Sequence, residues 1–187
     1  MSRNEKGAAM TSINYIQLRS DNFPSIALDH FIRYQEVKFS LQIVEKEPTF
    51  VPTESIEDWS LTQRRNTAEF IQKSISNGGF AFGAMSNDEI IGFILVTSPF
   101  FGSKNQYLEL KLFHVSAPYR NHGIGRKLFQ LACTAAKQIG AAKLYISAHP
   151  AKETQLAYRQ FGCANCAEHF PEKTLQDPNC IEMEYVL

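Results

Sequence analysis

The chain has 187 residues, 44% of them hydrophobic and 20% charged, a balance that excludes a disordered or fibrous protein and fits one globular domain. Lysine plus arginine number 19, and so do aspartate plus glutamate, so no net field draws the chain to nucleic acid and any charged site must be local. The longest apolar runs, such as Ile90–Val96, fall far short of the roughly 20 residues a helix needs to span a bilayer.

Residues 1–11 carry two early cations with no apolar core or cleavage pattern behind them, which predicts a mobile leader rather than an export signal. Four cysteines without such a signal then read as reduced thiols in a cytoplasmic protein. Ser12–Leu18 alternates loosely and predicts a first strand. From Phe23 to Val44 the apolar residues Ile26, Phe31, Ile32, Tyr34, Val37, Phe39 and Leu41 recur at helical spacing, predicting one or two helices that Pro48 and Pro52 stop. Trp59–Ile75 resumes that spacing through Leu61, Ala68, Phe70 and Ile71 and ends at Asn77-Gly78-Gly79. Phe80–Met85 and Ile90–Ser98, separated by Ser86-Asn87-Asp88-Glu89, predict a hairpin.

Tyr107–Ser116 is apolar apart from Glu109, Lys111 and His114, as in a strand at the centre of a sheet. A helix over Ile124–Ile139, a strand at Lys143–Ala148, a helix near Ala151–Phe161 closed by Gly162 and a strand at Ile181–Val186 complete the pattern. This order predicts an α/β or α+β sheet protein. With no repeat or linker in it, the sequence over residues 12–187 reads as a single domain.

The segment with chemical content runs from Leu110 to Arg126, where a buried strand enters a glycine turn that opens a helix. Gly123 and Gly125 allow the backbone close to a ligand, and the free N–H groups of a helix start favour an anion. Arg120 and Arg126 add positive charge. Gly-x-Gly alone is weak, but the ending Gly-Lys-Ser/Thr of a P-loop is missing. So are the third spaced glycine and later acidic residue of a dinucleotide site.

Arg120-Asn121-His122-Gly123-Ile124-Gly125 resembles the Arg/Gln-x-x-Gly-x-Gly/Ala signature of the GNAT superfamily of acetyltransferases, and Ala157-Tyr158-Arg159-Gln160-Phe161-Gly162 is similar to that family's Phe-Tyr-x-x-x-Gly-Phe. The resemblance implies a mixed, splayed central sheet flanked by helices. It also implies acetyl-CoA as cosubstrate, its pantetheine arm beside Phe113 and Val115 and its pyrophosphate on Asn121–Arg126. Tyr158 would protonate the departing thiolate, and Glu109 aligns with the strand carboxylate that some members use as general base. Where members often carry asparagine, seven residues before the tyrosine, this chain has Ala151, so that contact is either missing or replaced, with Thr154 as the candidate. The expected acceptor is a small-molecule or peptide amine, and the expected state a monomer or homodimer with no nucleic-acid or membrane partner.

Competing readings exist at most of these positions. Glu109 could be a buried carboxylate paired with Lys111, Tyr158 a core aromatic, and His114 or His149 either structural or a proton relay. Cys163, Cys166, His169 and Cys180 have a spacing open to zinc, but the expectation is packed thiols and no metal. The acidic residues Glu45, Glu47, Glu54, Glu57 and Asp58 could attract a cationic amine or simply be solvated. A non-catalytic CoA-binding module and a zinc-dependent interaction domain are the alternatives to an enzyme. Specificity is expected in Phe23–Trp59 and in a loop at Pro171–Pro178.

Overall fold

A computed structural model describes residues 12–176 and 178–187; the expected leader, residues 1–11, lies outside the described residues. Nine strands and four helices follow in chain order: β1 (Asn14–Leu18), β2 (Gln35–Val44), β3 (Glu47–Glu57), α1 (Leu61–Ser76), β4 (Phe80–Ser86), β5 (Glu89–Phe101), β6 (Tyr107–Val115), α2 (Ile124–Gln138), β7 (Lys143–Ala148), α3 (Lys152–Phe161), β8 (Ala164–Asn165), α4 (Pro171–Gln176) and β9 (Ile181–Val186). Seven strands form one sheet in the order β1-β4-β5-β6-β7-β9-β8, and β2 with β3 forms a separate two-stranded ribbon.

Local chemistry explains most elements. A capping box in which Ser60 and Gln63 satisfy each other's backbone opens α1. The β4–β5 hairpin turns through Asn87 and Asp88, both at positive φ, as a two-residue primed turn requires. Gly162, at φ 96°, closes α3. Among the described residues only β6 and β7 pair in parallel, because α2 supplies the crossover between them.

The helices expected over Phe23–Val44 are not there. Val37, Phe39, Leu41 and Ile43 alternate with Lys38, Ser40 and Gln42, a period of two that forms β2, whereas the run beginning at Pro24 is a series of turns. Pro48 and Pro52 sit within β3, whose only partner is β2, and an unpaired edge tolerates a residue with no N–H to donate. Glu45 and Lys46 make the turn of this ribbon at positive φ. The Pro171–Pro178 loop is in part a helix, α4.

Two cores cover the two faces of the large sheet. On one face Ile94, Leu110 and Ile146 of the sheet cluster with Leu128 and Phe129 of α2 and Tyr158 of α3. The other face packs Phe93 and Leu95 against Ala68 and Ile71 of α1 and against Phe23, Leu28 and Phe31 of the preceding turns. Among the described residues no helix is long and apolar enough to cross a membrane.

Candidate functional site

The site is built where β6 loses one neighbour. Its parallel ladder to β7 runs only from Tyr107↔Lys143 to Leu110↔Ile146. Its antiparallel ladder to β5 shifts at this point, from Val96↔Leu110 to Leu95↔Leu112, so Lys111 is an extra residue, a β-bulge. Past the bulge β6 stays on β5 as far as Val115↔Gly92, and β7 stays on β9 as far as Ala148↔Ile181. The two facing edges, Leu112–Val115 and Ser147–Ala148, share no ladder. The sheet is splayed, and an extended chain of amides could add to the free edge of β6 as a strand would.

At the mouth of the splay the chain turns sharply. After a 3₁₀ turn over Ala117–Tyr119, Asn121 and Gly123 take positive φ and α2 begins at Ile124. The first bond into α2 is Lys127 N–H to the Gly123 carbonyl. Among the described residues, none of the backbone N–H groups of residues 121–126 has an acceptor. Six unpaired donors at the positive end of a 15-residue helix make an anion cradle.

The two glycines do different work. A Cβ on Gly123 would meet nothing within 4 Å, so its role is the left-handed backbone and the open approach to the turn. A Cβ on Gly125 would sit 3.4 Å from the Phe113 ring, so this glycine lets α2 lie close on β6. Arg126 is exposed, with its guanidinium 5.7 Å from the centre of the Phe161 ring. Arg120 is turned back, its Nε donating to the Val115 carbonyl at 3.0 Å. His122 stands exposed beside the turn.

Tyr158 projects from α3 into the core next to Phe113, ring centres 6.2 Å apart. Burial pushes its phenol above the ordinary value, with Cys163 and Cys180 adding to the effect. None of the described residues hydrogen-bonds its hydroxyl, so the phenol is protonated at neutral pH and its proton is uncommitted. One turn earlier on the same face, the fully buried Gln155 donates to the carbonyls of His149 (2.9 Å) and Ala148 (3.4 Å). It thereby caps the end of β7 where no strand does, while its own Oε1 is buried without a partner. Thr154, the candidate replacement from the sequence, is half-buried one residue away.

Glu109 lies at the closed end, 7% exposed. Lys111 donates to one of its oxygens at 2.9 Å, and Lys173 of α4 donates to the other. Burial raises its pKa, but the two ammonium groups outweigh burial and hold the carboxyl below its ordinary range. Two surface cavities adjoin it. One of about 160 Å³ is lined by Thr97, Ser98, Phe101 and Lys173; the other, of about 280 Å³, is lined by Phe70, Ser74, Lys111 and Gln176.

On the opposite face from Tyr158, the His114 ring lies 4.9 Å from Trp59 and 5.5 Å from Phe93. Burial, with Arg33 and Arg120 nearby, pushes its pKa down to about 3, so it is neutral. His149, at the end of β7, has Nδ1 accepting from the Ala151 N–H at 3.2 Å and Nε2 3.7 Å from Glu57. The chain between Arg33 and Leu41 spans the two splayed ends. Ile32 is tied to Ser116 and Ala117, and Leu41 donates to the Pro150 carbonyl at 2.8 Å.

The cysteines do not converge. Cys163 is buried, Cys166 hydrogen-bonds Tyr107 and Glu184, and His169 pairs with Glu182. Among the described residues no three potential ligands are grouped for a metal.

Of the residues singled out from sequence, those of the turn, the β6 edge and Tyr158 meet around the splay, while Glu109 falls at the closed end. Arg33 and Trp59 fall in the Phe23–Trp59 stretch and Lys173 in the Pro171–Pro178 segment, which the sequence marks for specificity without singling these residues out, and Gln155 was not anticipated. For Gln155 a signal existed, since it stands three residues before Tyr158 and shares its helix face.

A family model described as the acetyltransferase (GNAT) family matches residues 42–163. No curated protein matches the chain by sequence. Among solved structures, a nourseothricin acetyltransferase is similar at 18% identity, with 94% of this chain and 99% of that one covered and a TM-score of 0.68. A Bacillus anthracis protein provisionally named a streptothricin acetyltransferase, in complex with acetyl coenzyme A, is 19% identical over 95% and 99% of the two chains, with a TM-score of 0.68. The PaiA N-acetyltransferase of Thermoplasma acidophilum in complex with coenzyme A is 13% identical over 95% and 100%, with a TM-score of 0.57.

Proposed function

Because the chain belongs to the GNAT acetyltransferase family, we propose that it moves the acetyl group of acetyl-CoA directly to an amine of a small-molecule or peptide acceptor held in the same complex. The observation that carries this reading is the free edge of β6 past the Lys111 bulge, followed after the 3₁₀ turn by six unpaired N–H groups at the start of α2. An amide-rich arm ending in a pyrophosphate matches those two features in their order along the chain.

When bound, acetyl-CoA supplies an acyl thioester already activated toward amines. The chain's own contribution is to hold and polarise. Phe113 and Val115 offer backbone to the arm, and the strand amides there stabilise negative charge on the thioester oxygen. Asn121, His122, Gly123, Ile124, Gly125 and Arg126 hold the pyrophosphate through backbone N–H groups, with the helix dipole behind them. Arg120 fixes the end of β6 that presents this edge. Tyr158 holds a proton that its burial keeps in place and delivers it to the departing sulfur.

Glu109 is better placed to lock the bulge than to accept a proton. Both of its oxygens already serve ammonium groups, and a carboxyl held below its ordinary range is a weaker base. The amine is then proposed to reach the thioester neutral, or to lose its ammonium proton to water, and the N–H proton released as the amide forms restores the one Tyr158 gives to sulfur.

The experiment is an acceptor screen in which release of the CoA thiol is followed across amines. Amine-dependent release with a matching acetylated product is expected. Binding of acetyl-CoA with only slow hydrolysis over the whole panel would replace this reading with that of a cofactor-binding module.

A further inference from the structure

Arg33, beside Trp59, and Arg120, bonded to the Val115 carbonyl, both lie near the neutral His114 at the C-terminal end of β6, and among the described residues neither has a carboxylate within ion-pair distance. Among the described residues no salt bridge involves Arg33. Its one hydrogen bond runs from Nη1 to Gln35 Oε1 at 3.1 Å, and its Nε is buried with no acceptor. Arg120 uses only Nε, on the Val115 carbonyl.

Burial is the largest effect on the pKa of both guanidinium groups, and Arg120 lowers Arg33 further, with Glu57 and Asp58 acting in the opposite sense. Glu57 and Asp58 act on Arg33 from beyond ion-pair distance, while Asp58 accepts from the Trp59 N–H at 2.8 Å and Glu57 lies 3.7 Å from His149. Two partly buried like charges with spare donors are costly unless an anion joins them.

The position of Arg33 separates it from the pyrophosphate cradle, which Arg120 adjoins. Arg33 lies 5.9 Å from the Trp59 ring, and Trp59 packs on His114 and Phe93. Those residues belong to the α1 face of the sheet, whereas Phe113, Gly125 and Tyr158 belong to the α2 and α3 face. An arm lying along Leu112–Val115 between the two faces would meet the anion cradle at one end and leave the α1 face for the acceptor. Trp59 and Arg33 stand on that face.

We infer that the acceptor is an amine that also carries a carboxylate, and that Arg33, with Arg120 beside it, binds that carboxylate and so sets specificity. The inference rests on the acetyl-transfer reading for the amine alone. The carboxylate site stands on the geometry of Arg33, Trp59, His114 and Arg120.

Trp59 is the chain's single tryptophan, so its emission reports this site without turnover. The full chain is titrated with the α-amino acids, 4-aminobutanoate and 6-aminohexanoate, each against its own carboxamide, with and without saturating CoA. At least one acid is expected to change Trp59 emission saturably and to bind about tenfold or more tightly than its amide, as a charge-assisted contact should. Binding should survive CoA. Arg33→Gln should remove the preference for acid over amide, and Arg33→Lys should retain part of it, which separates loss of the contact from loss of the fold.

Equal binding of acid and amide, no acid bound at all, or an unchanged preference in Arg33→Gln would overturn the inference. Displacement by CoA would assign the anion to the cofactor and overturn it equally. An acid that binds here but is never acetylated would count against the transferase reading and leave the carboxylate site standing.

Discussion

Between Tyr107 and Leu110, β6 has a ladder on both edges and every charge near it is matched. Tyr107 and Lys143 both donate to Glu184, Tyr145 donates to Glu182, and Glu109 holds two lysines. Between Leu112 and Val115 the same strand has one ladder. Around it collect unpaired N–H groups, two spare guanidiniums, an orphaned Gln155 oxygen and a phenol with an uncommitted proton. One inserted residue, Lys111, divides a half that is finished by folding from a half left open for a ligand. Substitutions in the closed half should therefore cost stability, and those in the open half should cost binding or rate.

Tyr158→Phe should give the largest effect. It removes only a hydroxyl, so the fold and acetyl-CoA affinity should persist while turnover slows by about 10²–10⁴-fold, the usual share of a positioned acid. Steady-state kinetics on the acceptor found in the screen, with a thermal melt beside it, would check this. Undiminished turnover would leave positioning as the source of rate.

Glu109→Gln tests the other half. Loss of a charge that serves two ammonium groups should lower stability by about 1–3 kcal/mol, measured by denaturant unfolding, with turnover changed less than about tenfold. If turnover instead slowed by about a hundredfold or more, together with a flattened low-pH limb, Glu109 would be the general base.

His114 gives a smaller, pH-dependent effect. Its ordinary value is 6.5, and burial with Arg33 and Arg120 lowers it to about 3 in the fold. Between those values the unfolded chain binds a proton that the folded chain does not. Stability should therefore fall as pH drops below 6.5, by at most about 1.4 kcal/mol per unit from this one group. His114→Gln should flatten that slope between pH 6.5 and 5, as thermal melts across the window would show.

The open half was legible where its signals are local. Arg120, Gly123 and Gly125 follow a buried strand and open a helix, and that short pattern marks the turn by itself. Tyr158 shares a helix face with the end of α3 in a way the spacing shows. The ribbon was obscured because its apolar residues fit helical and strand spacing at once, and only the strict alternation from Val37 to Ile43 distinguishes them. Pro48 and Pro52 looked like stops because nothing local shows that β3 keeps a free edge. The bulge at Lys111 is a relation between two strands and leaves no mark on one. Contacts across long stretches of chain were likewise out of reach, including Lys173 with Glu109 and Ile32 with Ser116, which places Arg33.

The division of β6 is tested most directly by an amide NMR titration of the full chain with acetyl-CoA. The account predicts saturable shifts at the amides of residues 112–115 and 121–126, with those of residues 107–110 nearly still. Shifts confined to the closed half, or none in a folded protein at saturating acetyl-CoA, would contradict it.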